Sequence, residues 1–279
     1  MNERIGNRGP ITPVILNIII INVIFYIAKF VFNMNGSLDL DKFLGLHFPL
    51  NNKFRVWQII THMFMHADIF HIFLNMFSLW MFGTVLEKVW GAKRFLIFYF
   101  VTGIGAAFCY LGYEYFSYLQ AIASADLFIQ HPSANAFITF LQKNHLQATD
   151  DIINQVSVWK SNPNNVQLID SFKSIVTHYK LNLANADSRF AEPMIGASGA
   201  VYGVLLGYGY LFPNSIIYFQ FFIPIKAKYL VLIYAGIELF STWRNSADDN
   251  IAHVAHLGGM LFGFILIYYW NKKNKTTFY

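Results

Sequence analysis

Charged residues are scarce in this sequence. Asp, Glu, Lys and Arg make up 13% of its 279 residues, against about 25% in an average soluble domain. Hydrophobic residues make up 56% and aromatic residues 18%, with 29 Phe. The apolar residues also fall into long runs, as membrane-spanning helices require. The composition therefore argues against a soluble domain and indicates a membrane protein embedded in a lipid bilayer.

The sequence has a single cysteine and lacks a polybasic patch. The one cysteine, Cys109, lies inside an apolar segment, which excludes an intrachain disulfide and disfavours a cysteine nucleophile. The formal net charge is +5, but the basic residues are scattered at the ends of apolar runs and form no polybasic patch. We therefore expect no nucleic-acid partner.

The apolar runs predict six membrane spans. They cover residues 14–33, 69–86, 95–113, 195–211, 229–243 and 251–270. The first run follows the basic start of a signal peptide, but it is too long and lacks a small-x-small cleavage site, so it is predicted to be uncleaved. Several runs are shorter than the ~20 residues of a perpendicular helix, as in spans that border a cavity or are shielded by neighbours. The tract 212–228, broken by Pro213 and Pro224, is predicted to be an interfacial loop, with a further span as the alternative.

Basic residues set the predicted orientation. They form four clusters beside the spans: Arg4 and Arg8; Lys88, Lys93 and Arg94; Lys226 and Lys228; Lys272, Lys273 and Lys275. Six spans place all four clusters on one side, so both termini are predicted to be cytoplasmic, and residues 34–68, 114–194 and 244–250 to face outward. The amino-acid composition, rich in Ile, Asn, Lys and Phe, suggests a bacterial protein, and hence the cell (inner) membrane as its location.

The predicted organisation has three parts. Residues 1–113 hold the first three spans and the outer loop 34–68, and residues 195–279 hold the last three spans and a cytoplasmic tail. Residues 114–194 form a polar extracytoplasmic insert, in which apolar positions recur at helical spacing, as in NVQLIDSFKSIVTHYK. We expect two to four helices there. The insert is predicted either to dock or gate substrates or to be a tolerated decoration.

Four polar residues inside the spans are candidates for function, because polar groups in a membrane are energetically expensive. Ser198 and His256 lie roughly 5–8 Å below the outer ends of the fourth and sixth spans, at 1.5 Å per residue. His71 and Asn75 begin the second span at comparable depth and share one helix face. The four groups are therefore predicted to converge if these three helices are neighbours.

Glycines favour such a convergence. The fourth span has small-xxx-small spacing that includes Gly196 and Gly199, and the sixth has Gly259 and Gly263, which lets two helices approach closely. A serine within reach of a histidine is an activated nucleophile, and His71, Asn75 and the Ser198 amide are candidate donors to an oxyanion. Taken singly, each residue is more typical of helix packing or of a buried hydrogen bond than of catalysis.

Other arrangements remain open from the residues alone. His62, His66 and His71 raise the possibility of a metal site, but the acidic residue of H-E-x-x-H is absent, so no metal is expected. Asp248 and Asp249 could complete a triad with His256, although their polar loop indicates solvation. His253, one helical turn before His256, is a rival base that spacing cannot exclude.

Three motifs resemble those of the rhomboid intramembrane serine proteases. GASG (196–199) matches G-x-S-G, AHLGGMLFG (255–263) matches A-H-x-x-G-x-x-x-G, and HIFLN (71–75) matches H-x-x-x-N. They occur in order and on the expected spans, and the resemblance covers nearly the whole chain except the insert. It implies an all-α fold, a six-transmembrane-helix rhomboid-like bundle around a water-accessible cavity.

The resemblance also implies roles for individual residues. Ser198 would be the nucleophile and His256 the general base, in a dyad with no third acid. His71 and Asn75 would stabilise the oxyanion. The supporting positions, including a tyrosine that stacks on the histidine and a structural glutamate, are Tyr202, Gly196, Gly199, Gly259 and Glu87.

The implied activity is that of a serine endopeptidase without metal or organic cofactor, which cleaves transmembrane protein substrates in or near their membrane spans. The alternatives are a non-catalytic rhomboid-like protein that binds transmembrane clients and, more remotely, a transporter. The sequence departs from the family in the insert and in Gln58, where the family often has arginine. It does not indicate the substrate or the oligomeric state.

Overall fold

A computed structural model of the chain describes residues 10–34, 36, 38–183, 190–219, 223–244 and 250–273. The chain divides into two compact units. The first comprises Met1–His47, Lys53–Leu111 and Pro193–Tyr279, and the second comprises Phe48–Asn52 and Gly112–Glu192. The predicted site residues all belong to the first unit.

The first unit is built mainly from helices, with one two-stranded sheet. Its elements are α1 (Pro13–Met34), α2 (Leu40–Leu44), α3 (Gln58–Thr61), a 3-10 turn (His62–Phe64), α4 (Ile69–Ser78), a π-helical turn (Leu79–Gly83), α5 (Thr84–Trp90), the first part of α6 (Ala92–Gln130), α10 (Ser198–Leu211), β1 (Ile216–Phe219), β2 (Ile223–Lys226), α11 (Ala227–Arg244) and α12 (Asn250–Lys273). The second unit holds the rest of α6 with α7 (Ala134–Lys143), α8 (Asp150–Ser161) and α9 (Val166–Asn182).

Within the described residues, four helical segments are long and apolar enough to cross a membrane. They are Pro13–Met34, Ile69–Trp90, Ala92–Gln130 and Ala252–Lys272, at the predicted first, second, third and sixth spans. The predicted fourth span is α10, whose 14 residues reach about 21 Å, less than the ~30 Å hydrocarbon layer. The predicted fifth span is α11, 18 residues long. The predicted all-α polytopic membrane bundle is confirmed.

The short helix α10 is surrounded mainly by other parts of the protein. Eight of its residues are buried, and its closest packing is against α12. Small residues on its surface permit this packing, because they let neighbouring backbones approach. The expectation that short spans are shielded by neighbours therefore holds for this helix.

The structure differs from two sequence-based predictions of secondary structure. The third span was predicted to end at residue 113, but α6 continues without interruption for 39 residues, from Ala92 to Gln130. No glycine or proline occurs between residues 113 and 130, so nothing stops the helix where its composition becomes polar. The tract 212–228 was predicted to be an interfacial loop or a further span, whereas its described residues include two strands: Ile216–Phe219 pairs antiparallel with Ile223–Lys226, in keeping with the strand preference of Ile, Tyr and Phe.

Glu87 joins the second membrane segment to the start of the first. Its buried carboxylate accepts hydrogen bonds from the Thr12 hydroxyl and from the backbone amides of Val14 and Ile15. These amides lie in the first turn of α1, where no helical carbonyl is available to them. The carboxylate thus caps α1 and supports the structural role that the resemblance implies for Glu87.

The second unit has an aromatic core. The Trp159 and Phe172 rings stack at 5.1 Å between centroids and 9° between planes, and Phe137 and Phe128 pack beside them. Helices α7, α8 and α9 each begin at a side chain that accepts a backbone N–H, an arrangement that favours helix initiation. These caps are Ser133, Thr149 and Asn165. The side of the membrane on which this unit lies stays a prediction.

Candidate active site

Two glycines bring α10 and α12 into direct backbone contact. A Cβ added at Gly259 would lie 1.8 Å from the Gly199 carbonyl oxygen, and a Cβ at Gly199 would lie 3.4 Å from the Ala255 carbonyl oxygen of α12. Any side chain at Gly259 would therefore force the helices apart. Without side chains at these positions, the helices are close enough for Ser198 and His256 to touch.

The Ser198 hydroxyl and the His256 ring form a hydrogen bond. Ser198 Oγ lies 2.8 Å from His256 Nε2, the separation at which an imidazole can accept a proton from a serine. Tyr202, one turn after Ser198 on α10, stacks on the His256 ring at 4.1 Å and 7°. The tyrosine fixes the plane of the imidazole and so its orientation towards the hydroxyl.

The segment before Ser198 is held in place by backbone hydrogen bonds. Gly196 N donates to the His62 carbonyl at 2.9 Å, and Met194 exchanges two backbone hydrogen bonds with Leu46. Gly196 has φ +130°, in the region that favours glycine, and a Cβ there would lie 2.9 Å from the His71 ring. Glycine is thus required at residue 196 by both backbone angle and space.

A cavity of about 150 Å³ lies at the serine. At ~30 Å³ per water molecule, it has room for several. Its lining includes the hydroxyl and imidazole of the predicted dyad together with small and apolar side chains. Among the lining residues are Ser198, His256, His71, Gly196, Met194 and Ala252. A reacting carbonyl and an attacking water therefore both fit beside Ser198.

The His71 side chain lines this cavity and can donate a hydrogen bond from its ring. Asp68 caps α4 by accepting the His71 backbone N–H at 2.9 Å, and Ala67 N–H points at His71 Nδ1 at 3.4 Å. Because Nδ1 acts as an acceptor, a neutral ring carries its proton on Nε2. Nε2 is one of the two ring atoms nearest to Gly196. His71 can therefore donate into the cavity that His256 also lines.

Asn75 lies one turn further along α4 and does not line the cavity. Its amide Nδ2 donates to the His71 carbonyl at 3.0 Å, and the residue is buried. The structure thus brings Ser198, His256 and His71 together and leaves Asn75 behind them. A direct contact between Asn75 and an oxyanion stays a prediction.

The two histidines that precede α4, His62 and His66, occupy separate positions. His62 Nδ1 lies 2.9 Å from the Gln58 carbonyl, and burial lowers the pKa of His62 to about 4. His66 packs edge-on against His71, 5.0 Å between ring centroids, and burial lowers its pKa to about 3. Across the described residues, the group that could share one metal ion is a different one, Glu238 with His253 and His256.

Gln58, where the family often has arginine, organises the segment between α1 and α4. Its side-chain oxygen accepts the backbone N–H of Arg55 at 2.9 Å and that of His47 at 3.4 Å. Its amide donates to the carbonyls of Lys53 at 3.1 Å and Phe43 at 3.3 Å. The buried glutamine is therefore fully used in holding the loop.

Sequence reasoning missed Glu238. This residue lies on α11, and its carboxylate contacts Tyr202, His253 and His256. The signal was available, because a lone carboxylate in the apolar stretch AGIELF is as expensive in a membrane helix as the histidines that were selected. The two aspartates considered as a third acid, Asp248 and Asp249, lie outside the described residues.

Comparisons with known proteins agree with the motifs. A family model described as "Rhomboid domain" matches residues 53–128 and 167–273, more than half of the chain. The chain is 24% identical over 270 residues to "RHOMBOID-like protein 12, mitochondrial" of Arabidopsis thaliana, covering 95% of this chain and 60% of that protein. It is 30% identical over 96 residues to "Rhomboid protease GlpG" of Salmonella choleraesuis (strain SC-B67), covering 34% of this chain and 33% of that protein. The chain therefore spans less than two thirds of the length of these relatives.

Proposed function

Because the chain belongs to the rhomboid family, we propose that it is an intramembrane serine endopeptidase that hydrolyses peptide bonds in or near the transmembrane segments of membrane proteins. The observation that carries the proposal is the 2.8 Å contact between Ser198 Oγ and His256 Nε2 beside a cavity inside the helical bundle. No metal ion or organic cofactor takes part in the proposed reaction.

The first half of the reaction forms an acyl-enzyme. Ser198 Oγ attacks the carbonyl carbon of the substrate while its proton passes to His256 Nε2. The oxyanion is stabilised by the Nε2–H of His71 and by the Ser198 amide, which is free at the first turn of α10. Asn75 holds His71 through its backbone carbonyl. The C–N bond then breaks, and the imidazolium gives its proton to the leaving amine.

The second half restores the serine. A water molecule in the cavity attacks the acyl carbon and gives a proton to His256. The bond between the acyl carbon and Ser198 Oγ then breaks, and His256 returns the proton to the serine oxygen. The products are a new carboxyl terminus and a new amino terminus. The substrate helix must unwind near the cavity, because a formed helix keeps its backbone groups bonded internally.

The partners of the reaction are transmembrane proteins within the bilayer. Together with the distribution of basic residues, the proposal places both termini in the cytoplasm and the serine near the outer surface of a bacterial cell membrane. The second unit then lies outside, next in sequence to the serine, where it docks or gates substrates. The mitochondrial relative makes the mitochondrial inner membrane the other location to test.

The proposal is tested with purified protein in liposomes and a reporter transmembrane substrate. Wild type is expected to release the outer fragment and to react with a fluorophosphonate, and Ser198→Ala to do neither. Ser215→Ala is the matched control, because its hydroxyl only donates to the Phe212 carbonyl. Substrate that binds wild type but is never cleaved, with no fluorophosphonate labelling, would identify the alternative, a non-catalytic protein that binds transmembrane clients.

A further inference from the structure

A buried carboxylate lies behind the proposed general base. Glu238 lies on α11, and its neighbours in sequence, Ile237 and Leu239, are apolar. Its side chain is only 5% exposed. A carboxylate in such a place persists only where partners satisfy it, because burial of an unpaired charge is strongly unfavourable.

The side-chain partners of this carboxylate lie on the two helices that carry the proposed dyad. The Tyr202 hydroxyl donates to Oε1, and the same oxygen lies 3.1 Å from His256 Nδ1. The other oxygen, Oε2, pairs with His253 Nδ1. Both oxygens are therefore engaged by α10 and α12, the two helices that carry Ser198 and His256.

We infer that Glu238 is a positioning residue for His256, which keeps the ring proton on Nδ1 and leaves Nε2 as the acceptor for the Ser198 hydroxyl. The inference rests on the proposed protease function. A neutral imidazole has one N–H, so a proton on Nε2 would prevent that nitrogen from acting as a base. The negative charge beside Nδ1 favours the required tautomer and also the imidazolium that forms during each proton transfer.

The contact with His256 is electrostatic rather than a straight hydrogen bond. His256 Nδ1 has no aligned hydrogen-bond acceptor among the described residues, although Oε1 is 3.1 Å away. The Tyr202 ring lies parallel to the imidazole and its hydroxyl binds that oxygen. Tyr202 therefore holds both the ring and the carboxylate, and the effect of Glu238 should be smaller than that of a fully aligned triad acid.

Among the described side chains that face the His256 ring, Glu238 is the acidic one. Ser198 and Tyr202 face the ring from α10, His71 faces it across the cavity from α4, and His253 lies one turn away on its own helix. None of these groups carries a negative charge at neutral pH. The competing explanation is a metal ion held by Glu238, His253 and His256, whose ligand atoms lie within 4.8 Å of one another.

The test is the kinetics of Glu238→Gln in liposomes, with turnover normalised to the folded fraction. Removing the aligned acid of a serine protease lowers kcat about 10⁴-fold, so the electrostatic contact here predicts a loss of about 10²-fold in kcat. KM is expected to stay within about twofold, since Glu238 does not line the cavity. Glu238→Asp should recover part of the lost kcat because it restores the charge.

A matched control comes from the other buried glutamate. Glu87→Gln makes the same chemical change at a carboxylate that binds only α1, so it should lower stability but leave kcat per folded molecule unchanged. The fluorophosphonate reaction of Ser198 should slow in Glu238→Gln in parallel with kcat. Tyr202→Phe, which keeps the stacked ring but removes the hydroxyl, should lose less than Glu238→Gln.

Two outcomes would overturn the inference while the proposed function stands. One is a Glu238→Gln variant whose kcat stays within about threefold of a wild type that cleaves in a Ser198-dependent way. The other is a wild type that loses activity to a chelator and regains it with Zn²⁺, because the three side chains would then hold a metal ion. A wild type with no cleavage and no labelling would instead remove the proposed function, and this inference with it.

Discussion

Replacing Gly259 by alanine tests whether the contact between α10 and α12 creates the site. The new Cβ would lie 1.8 Å from the Gly199 carbonyl oxygen, whereas a close C–H···O contact has a carbon–oxygen distance of about 3.3 Å. The helices must therefore separate locally by about 1.5 Å. The same separation would carry the Ser198–His256 contact from 2.8 Å to about 4 Å, beyond hydrogen-bonding distance.

The expected loss is large for activity and moderate for stability. A misplacement of about 1 Å at a reacting group costs about 10²-fold in rate, and overpacking costs about 1–3 kcal/mol of unfolding free energy. Gly236→Ala is the matched control, because nothing lies within 4 Å of its added Cβ, and this variant should keep its activity. Fluorophosphonate labelling rates and thermal unfolding in detergent measure both effects. Wild-type labelling by Gly259→Ala would refute the argument that this close approach builds the site.

The remaining predictions concern stability. Glu87→Gln should lower the free energy of unfolding by about 2–3 kcal/mol, as measured by equilibrium unfolding in detergent. Hydrogen bonds to a charged acceptor contribute about 1.5–3 kcal/mol, and the neutral amide weakens those from Thr12 and from the first turn of α1. Stability should also depend on pH through His62, whose pKa falls from 6.5 to about 4 in the folded state because the ring is buried. The unfolded chain then binds more protons than the folded chain between these pH values. The free energy of unfolding is therefore highest above pH 6.5 and decreases as the pH falls towards 4. Because His66 contributes a similar slope, His62→Gln should reduce but not abolish the rise of stability with pH, and an unchanged slope would contradict the assignment.

Much of the site could be predicted because its determinants are local in sequence. Ser198 and His256 each lie a few residues inside an apolar run, so helix rise gives both depths without knowledge of the tertiary structure. The glycine spacing then indicates which helices approach closely. The contact of His71 with the cavity follows from the same reasoning, since Asp68 begins α4 three residues earlier.

The parts that could not be predicted depend on distant contacts or on missing stop signals. The strands at 216–219 and 223–226 pair with each other, and a four-residue apolar strand cannot be distinguished from a loop or a short span by periodicity. The end of α6 was placed at the change in polarity, but polarity alone does not stop a helix. Asn75 has the i, i+4 spacing to share a face with His71, yet its amide turns to the backbone of its own helix.

The pair of histidines on α12 shows why the sequence alone left the choice of base open. His253 and His256 are three residues apart, so helical geometry places them on neighbouring parts of one face, and either could approach a serine at that depth. The partners on the other helices differ: His256 Nε2 contacts Ser198 on α10, whereas His253 Nδ1 pairs with Glu238 on α11. Glu238 in turn approaches His256 Nδ1, so Ser198, His256, Glu238 and His253 form one continuous polar chain across three helices. Glu238 contacts both histidines, so the contact of His256 Nε2 with Ser198 is what separates two residues that periodicity treats alike.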